Sequence, residues 1–322
     1  MQKNLNLSKL LSDKNKSKFR KFLLGSNEKS GLIVNFLLYV VLIIISYIYL
    51  YPLLYMFSTG FMSIDDLVNN SVKWIPTSIC FDNFKQAFEV MDFGNVLLQT
   101  LELTVIPALF QVGVCCLTGY AFARYDFKGK TICWGFLILT FVLPSQATMV
   151  PMYLLFKELG FIGTVKAFAV PALLGQGFKS TIITLVFYLF FSQISKSQIE
   201  AASLDGCGHF KVFAYIALPS VKAAFIIGFL FSLVWYWNET YLTSIFISNS
   251  SIGNANSMTT LLVKLTRFEA SYKLLNEGNG DNSLNEAIRM AGTVICVLPL
   301  LTVYFALQKF FVQSVDMLGL KD

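Results

Sequence analysis

The chain is predicted to be an all-α polytopic membrane protein with six transmembrane helices, and three observations carry that expectation. Hydrophobic residues fill 55% of its 322 positions and charged residues only 14%, with a mean hydropathy of +0.62, outside the range of water-soluble domains. Phenylalanine alone occurs 31 times, more than packing in a water-soluble core accommodates. The charges sit in short intervals between six apolar runs, each able to cross a hydrocarbon layer of roughly 30 Å at about 1.5 Å per residue.

Residues 1–31 form a basic tail: Lys3, Lys9, Lys14, Lys16, Lys18, Arg20, Lys21 and Lys29 all precede the first apolar run. They account for the net charge of +6 and read as a signal for cytoplasmic retention that also meets anionic lipid, rather than as a nucleic-acid surface. The first run is too long for the core of a cleaved signal peptide and lacks a small-residue cleavage site, so it is expected to remain as a span. The spans are expected at residues 32–57, 96–123, 131–156, 167–191, 223–246 and 287–311. Segment 124–130, with Arg124, Lys128 and Lys130, and loop 192–222, with Lys196, Lys211 and Lys222, are basic and fall on the tail's side. Between the first two spans Asp65, Asp66, Asp82, Glu89 and Asp92 outnumber Lys73 and Lys85, which suits the outer side. This gives a multi-pass cell-membrane protein with both termini cytoplasmic, including a short tail at 312–322. The loop at 247–286 is external, rich in Asn, Ser and Gly, and too long for a plain connection; Ser257 to Leu261 is its expected ordered part. No internal repeat divides this single membrane domain.

Two spans carry irregularities. Pro144 and Pro151 remove backbone donors from the third, where Gln146 and Thr148 add polar atoms that lipid cannot satisfy. The fourth holds Gly175-Gln176-Gly177 and then Lys179. Either the span breaks there against a protein or aqueous interior, or it begins only near Lys179 and the preceding residues form an outer amphipathic segment.

The most informative loop reads Glu200-Ala201-Ala202-Ser203-Leu204-Asp205-Gly206, with Ile216, Leu218 and Pro219 beyond it. Ser195 and Gln198 have capping-box spacing, and Gly206 can take the left-handed conformation that closes a helix. The expectation is about three turns of exposed helix. Ala201 and Ala202 would allow close backbone approach to a partner, and Glu200 and Asp205 would accept from a partner's cations. Taken alone, those seven residues fit an ordinary solvated loop equally well.

Catalytic and metal chemistry find little support. Cys80, Cys115, Cys116, Cys133, Cys207 and Cys296 lack metal-ligand spacing, and most sit in apolar runs or on the cytoplasmic side, which argues against a disulfide framework. His209 is the single histidine. Gly129-Lys130-Thr131 mimics the end of a phosphate-binding loop, yet Arg124 stands where that loop needs its first glycine. No metal, cofactor or catalytic residue is therefore expected. Trp235, Tyr236, Trp237, Asn238, Glu239 and Tyr241 form the densest aromatic and polar cluster within a span. With Gln146 and Lys179 they make a candidate substrate pathway, since ring faces suit pyranose rings and the amide and carboxylate suit hydroxyls. An interfacial aromatic belt is the other reading.

The loop resembles the "EAA" loop of permease subunits in binding-protein-dependent ATP-driven importers. Tyr120-Ala121-Phe122-Ala123-Arg124 with Phe127 and Gly129, then Leu143-Pro144, Pro151-Met152-Tyr153-Leu154, Gly160, Trp237-Asn238-Glu239, Pro299 and Gln308 to Val312 follow in the order of the maltose-type carbohydrate importers, nearest their smaller "G" permease. Tyr188-Leu189 stands where that family often has Arg-Gln, and Ser195 where it often has proline. The resemblance implies a type I importer permease fold that pairs with a second, non-identical permease, two ATPase subunits and an extracytoplasmic solute-binding protein. ATP and Mg would be bound by the ATPase subunits. Glu200, Ala201, Ala202, Asp205, Gly206, Ile216, Leu218 and Pro219 would form the ATPase-coupling surface. The implied cargo is a sugar or oligosaccharide; a glycerol phosphodiester or peptide-like solute is the alternative, and a secondary transporter or channel the more distant one.

Overall fold

The computed structural model describes residues 25–26, 29–69, 71–248, 258–276 and 284–319, without the side chains of residues 25–26, 29–30, 145, 203 and 310–319. Most of the basic tail, Ser257 and much of the 247–286 loop lie outside the described residues. A two-residue antiparallel pair, β1 (Gly25–Ser26) with β2 (Lys29–Ser30), precedes the first helix. All other regular structure described is helical.

Helix α1 (Leu32–Gly60) is apolar along its length and buries only Thr59 and Gly60 at its end. Without a polar face to turn outward, such a helix needs lipid or another subunit around it. Its end is fastened by Asn83 on α3 (Asp82–Val90), whose buried amide donates to the carbonyls of Gly60 at 3.0 Å and Met62 at 2.8 Å. Short α2 (Ile64–Val68) is capped by Ser63, which accepts from the Asp66 amide at 3.2 Å. The Asp66 carboxylate in turn accepts from the Thr77 hydroxyl and, at 3.2 Å, the Thr77 amide. Hydrogen bonds from Thr77, helped by Ser63, hold that carboxyl below the usual range.

Helix α4 (Phe93–Arg124) is the post around which the rest is packed. After α5 (Lys130–Val142), α6 (Ser145–Glu158) and α7 (Lys166–Leu173), helix α8 (Ser180–Gln193) lies directly on it. Gly119 permits that contact, because a Cβ there would sit 2.6 Å from the Cβ of Phe187 and 2.9 Å from the Tyr188 nitrogen. Val112, Cys115, Cys116 and Tyr120 of α4 form a core with Ile183, Phe187 and Phe191 of α8 and with Ala224 and Ile227 of the helix at Lys222–Asn238. At the opposite end Val96, Trp237, Leu261, Phe268, Ile288 and Ala291 form a second core, and Leu103, Ala108, Phe156, Phe168, Tyr236 and Phe246 a third.

The loop after α8 is itself helical. It comprises α9 (Lys196–Leu204), α10 (His209–Val212), a π-helical turn (Phe213–Ala217) and α11 (Leu218–Ser220), then bends into α12 (Lys222–Asn238). Helix α13 (Tyr241–Phe246) follows, then α14 (Leu261–Thr266), α15 (Phe268–Leu275) and α16 (Glu286–Gly319).

Three helices are long and apolar enough to cross a membrane uninterrupted: α1, α4 and α16 over Glu286–Lys309. Three further pairs reach that length only together, α5 with α6, α8 with α9, and the 209–220 segment with α12, bent by 97°, 75° and 74°, which allows up to six spans. The third, fourth and fifth expected spans are therefore not continuous helices. The chain breaks at Leu143-Pro144, from Leu174 to Lys179, and at Glu239-Thr240. Helix α8 has 14 residues, about 21 Å, too short to cross alone. Helix α16 runs on past its membrane-capable part, which ends at Lys309, to Gly319 within the segment expected as the tail.

Candidate functional sites

The first candidate surface is the loop bearing α9. Asp205 N donates to the Ala201 carbonyl and Cys207 N to that of Ala202, both at 3.0 Å, and Gly206 sits at φ 83°, a six-to-one closure with glycine in the left-handed position. Ser195 immediately precedes the helix, 3.3 Å from the Ser197 hydroxyl. Glu200, Ala201 and Asp205 are exposed, as expected of a docking face. Ala202 is not: it is buried, and Ile199, one turn earlier, packs on the core of α4 and α8. At this spacing Ile199 and Ala202 share the inward side of α9. Ala202 thus sets the seat of the helix rather than its contact with another protein. Ile216 and Leu218 are half-buried, Leu218 against the same core, while Pro219 is exposed.

Arg124, the last residue of α4, supplies a connection that spacing alone did not reveal. Its Nη2 donates to the carbonyl of Phe191, which also accepts from the Ile194 amide, and, at 2.6 Å, to the carbonyl of Ile194, where α8 ends and the turn into α9 begins. Beyond α9, Tyr120 packs on Phe213 at 4.8 Å and Tyr125 meets His209 edge-on at 6.1 Å. The end of α4 therefore grips the loop before and after α9. Leu204, Phe210 and Tyr215 stand outward at 88%, 79% and 78% exposure. The readable sign of such a surface would have been these apolar residues in a charged loop.

The second candidate is the level at which three segments break. Thr140 of α5 lies 3.3 Å from Thr181 of α8, whose hydroxyl also donates to the Leu137 carbonyl. The ring of Phe178, just before α8, is 4.6 Å from that of Tyr236 on α12, and the Lys179 ammonium lies 5.1 Å above Trp235. Tyr241, beyond the α12 break, donates to Met149 Sδ on α6 at 3.1 Å. Residues flanking the three breaks thus touch one another, although they are far apart in sequence. Buried Gln111 of α4 donates to the Phe178 carbonyl at 2.6 Å, and Gly177 leaves no room for a side chain: a Cβ there would fall 2.7 Å from Gln111 Oε1 and from the Tyr236 hydroxyl.

The expected pathway residues divide. Lys179, Asn238, Tyr241 and Gln146 are exposed and Trp235 half-exposed, with Phe231 stacked on Trp235 at 5.7 Å. Trp237 differs from the others: it is 3% exposed and packed into the core at the opposite end. Glu239 Oε1 accepts from the Leu242 amide at 2.8 Å and caps α13. Lys179 holds φ 53°, a left-handed conformation costly for a side-chain residue, at the start of α8. A lysine facing lipid at the centre of a bilayer would cost roughly 2.5–3.5 kcal/mol, and broken backbone within a hydrocarbon layer is tolerated only against protein or water.

A family model described as the inner membrane component of binding-protein-dependent transport systems matches residues 116–317. The chain is similar to the melibiose/raffinose/stachyose import permease protein MelC of Bacillus subtilis, 27% identical over 248 residues that cover 76% of this chain and 83% of that one. It is also similar to the arabinooligosaccharides transport system permease protein AraQ of Halalkalibacterium halodurans, 25% identical over 301 residues, 91% and 99% of the two chains. Among solved structures, a chain from the crystal structure of a bacterial ABC transporter involved in import of the acidic polysaccharide alginate superposes with a TM-score of 0.71 at 20% identity, covering 87% of this chain and 96% of that chain. The fold is therefore that of a type I importer permease.

Proposed function

Since the chain belongs to the inner-membrane components of binding-protein-dependent transport systems, we propose that it is one half of the translocation pathway of an ATP-driven importer of sugars or oligosaccharides. It is a multi-pass membrane permease. In this reading the loop bearing α9 and both termini are cytoplasmic, two ATPase subunits bind ATP and Mg, and a second, non-identical permease completes the pathway. A solute-binding protein delivers the cargo on the opposite side. The names of the relatives MelC and AraQ support a saccharide cargo.

The observation that carries the coupling role is the grip of Arg124 on the carbonyls of Phe191 and Ile194. It ties the turn before α9 to the 32-residue helix α4, so a push on α9 moves α4 and α8 with it. Glu200, Ala201, Leu204, Asp205, Phe210 and Tyr215 would face the ATPase, with Gly206 ending the helix and Ala202, Ile199 and Leu218 seating it on the core. Such rigid-body transmission needs no chemistry from this chain. The adjoining breaks are the natural place for a solute site, as discontinuous helices near the midplane commonly provide one.

Purification in mild detergent tests the assembly, and proteoliposomes test the activity. One different permease and two ATPase copies should accompany the chain, and sugar-loaded binding protein should stimulate ATP hydrolysis and uptake together. Transport of a glycerol phosphodiester or peptide with no sugar transported would refute the cargo; transport that persists without ATP would refute the whole reading.

A further inference from the structure

We propose that Lys179 is a specificity-determining cation for saccharides that carry a carboxylate, so that the cargo class includes acidic oligosaccharides such as uronates. This rests on the saccharide-importer reading above and narrows it.

Lys179 is exposed, at the level where the chain breaks, with its ammonium 5.1 Å above the Trp235 ring. Among the described residues it has no ion pair. Glu239, one turn beyond Trp235, is occupied in capping α13 through Leu242. The positive charge is therefore held in place by an aromatic face but has no counter-ion among the described residues. The backbone adds to this, since Lys179 occupies the N-cap of 14-residue α8, whose dipole presents its positive end at the same point. The left-handed φ of 53° fixes that placement at a conformational cost which lysine does not otherwise repay.

The surroundings suit a sugar acid better than a bare anion. Gln176 beside the lysine and Asn238 one turn past Trp235 are exposed amides. Asn238 donates to the Val234 carbonyl at 2.9 Å, which turns its Nδ2 inward and leaves its oxygen as an acceptor for hydroxyls. A neutral saccharide can use those amides but leaves the ammonium uncompensated; a uronate satisfies both. Trp235, stacked on Phe231, acts as the platform for the ammonium rather than for the sugar ring, which refines the sequence expectation.

The test uses the intact importer in proteoliposomes with its binding protein, and three probes: digalacturonate, its dimethyl ester and raffinose. Wild type should carry digalacturonate. Lys179→Met should lower the ratio of acidic to neutral saccharide uptake by about tenfold or more, because a site built for a polar group discriminates strongly once one partner is removed. Lys179→Arg should retain most of the acid uptake. If wild type carries a neutral saccharide but not digalacturonate, the inference fails and the importer reading stands. If Lys179→Met lowers acidic and neutral uptake alike, the lysine serves assembly with the second permease and the inference fails as well. If no saccharide is carried at all, both fail together.

Discussion

The two ends of the helix bundle are fastened by different means. At the end bearing α9, helices meet through close backbone approach at Gly119 and aromatic packing of Tyr120, Phe187, Phe191 and Phe213, with one guanidinium joining the pieces. At the opposite end, side chains of the long helices reach out to loop backbone. Gln99 accepts from Thr259 N and Thr100 from Leu261 N, both at 2.9 Å, and Asn83 holds the turn after α1. The first arrangement joins helix to helix and suits a block that moves as one. The second pins irregular segments to a frame and suits a surface that must keep its shape under a docked protein.

The largest effect should follow from breaking the joint of the first end. Arg124→Ala removes a charged donor from both carbonyls, leaving Phe191 with only its bond from the Ile194 amide and Ile194 without this partner, a loss of roughly 3 kcal/mol for two hydrogen bonds to a charged group. ATP hydrolysis in the assembled importer should then lose its response to loaded binding protein, with Arg124→Lys restoring part of it. An Arg124→Ala complex with normal stimulated hydrolysis would show that packing alone joins the block.

The counterpart at the opposite end is Asn83→Ala, which strands two buried carbonyls at a cost of roughly 2 kcal/mol. Here the melting temperature in detergent should fall, while the ratio of ATP hydrolysed to solute carried should stay unchanged. A change in that ratio would mean that the pinned end also takes part in coupling.

How much of this contrast could be read in the sequence depends on how polar the local chain is. In the loop at 192–222 a polar background makes small residues stand out, and Gly206 does hold the expected left-handed conformation. The breaks at Pro144 and Gly175 to Gly177 were equally legible, because proline and glycine act locally. Inside the spans the signal fails: a helix apolar all round carries no periodicity to say which side is buried. Hence Trp237 was placed with Trp235 although the two face different neighbours. Ala202 misled for a related reason, as a small residue fits close approach to its own core as well as to a partner. Arg124 is visible in the sequence as a topogenic charge and as part of a resembling motif but not as a joint, since its acceptors lie 67 and 70 residues away in the sequence.

A milder perturbation of the coupling end comes from Gly206. A Cβ there meets nothing within 4 Å, so the cost of replacement is conformational alone, about 1 kcal/mol or more. Gly206→Ala and Gly206→Leu should therefore behave alike, both leaving membrane insertion intact and both weakening ATPase attachment or its response to loaded binding protein. Conservative changes at exposed His209 should do much less. Normal uptake and normally stimulated hydrolysis in Gly206→Leu would show that the end of α9 is not the mechanical joint.

The smallest effect is expected at the opposite end, where Glu269 on α15 pairs with Lys273 at 2.9 Å and with Arg289 on α16 at 2.8 Å. The hydrogen bond and charge of Lys273, then the charge of Arg289, hold the Glu269 carboxyl below the usual carboxylate range. A group whose pKa is lowered in the folded chain adds stability above its unfolded pKa and loses it as pH falls through the folded one. All three side chains are exposed, so salt screens the pairs and their contribution is slight at physiological ionic strength. Hydrogen exchange of residues 268–275 should accordingly be flat from neutral pH to the ordinary carboxylate range, once corrected for intrinsic rates, and quicken only below it. Glu269→Gln should remove that acid-dependent step and leave the loop's anchoring through Gln99 and Thr100 untouched. If exchange in Glu269→Gln still steps with acid, the titrating group lies elsewhere, with Asp66, whose carboxyl is also held low, the first to test.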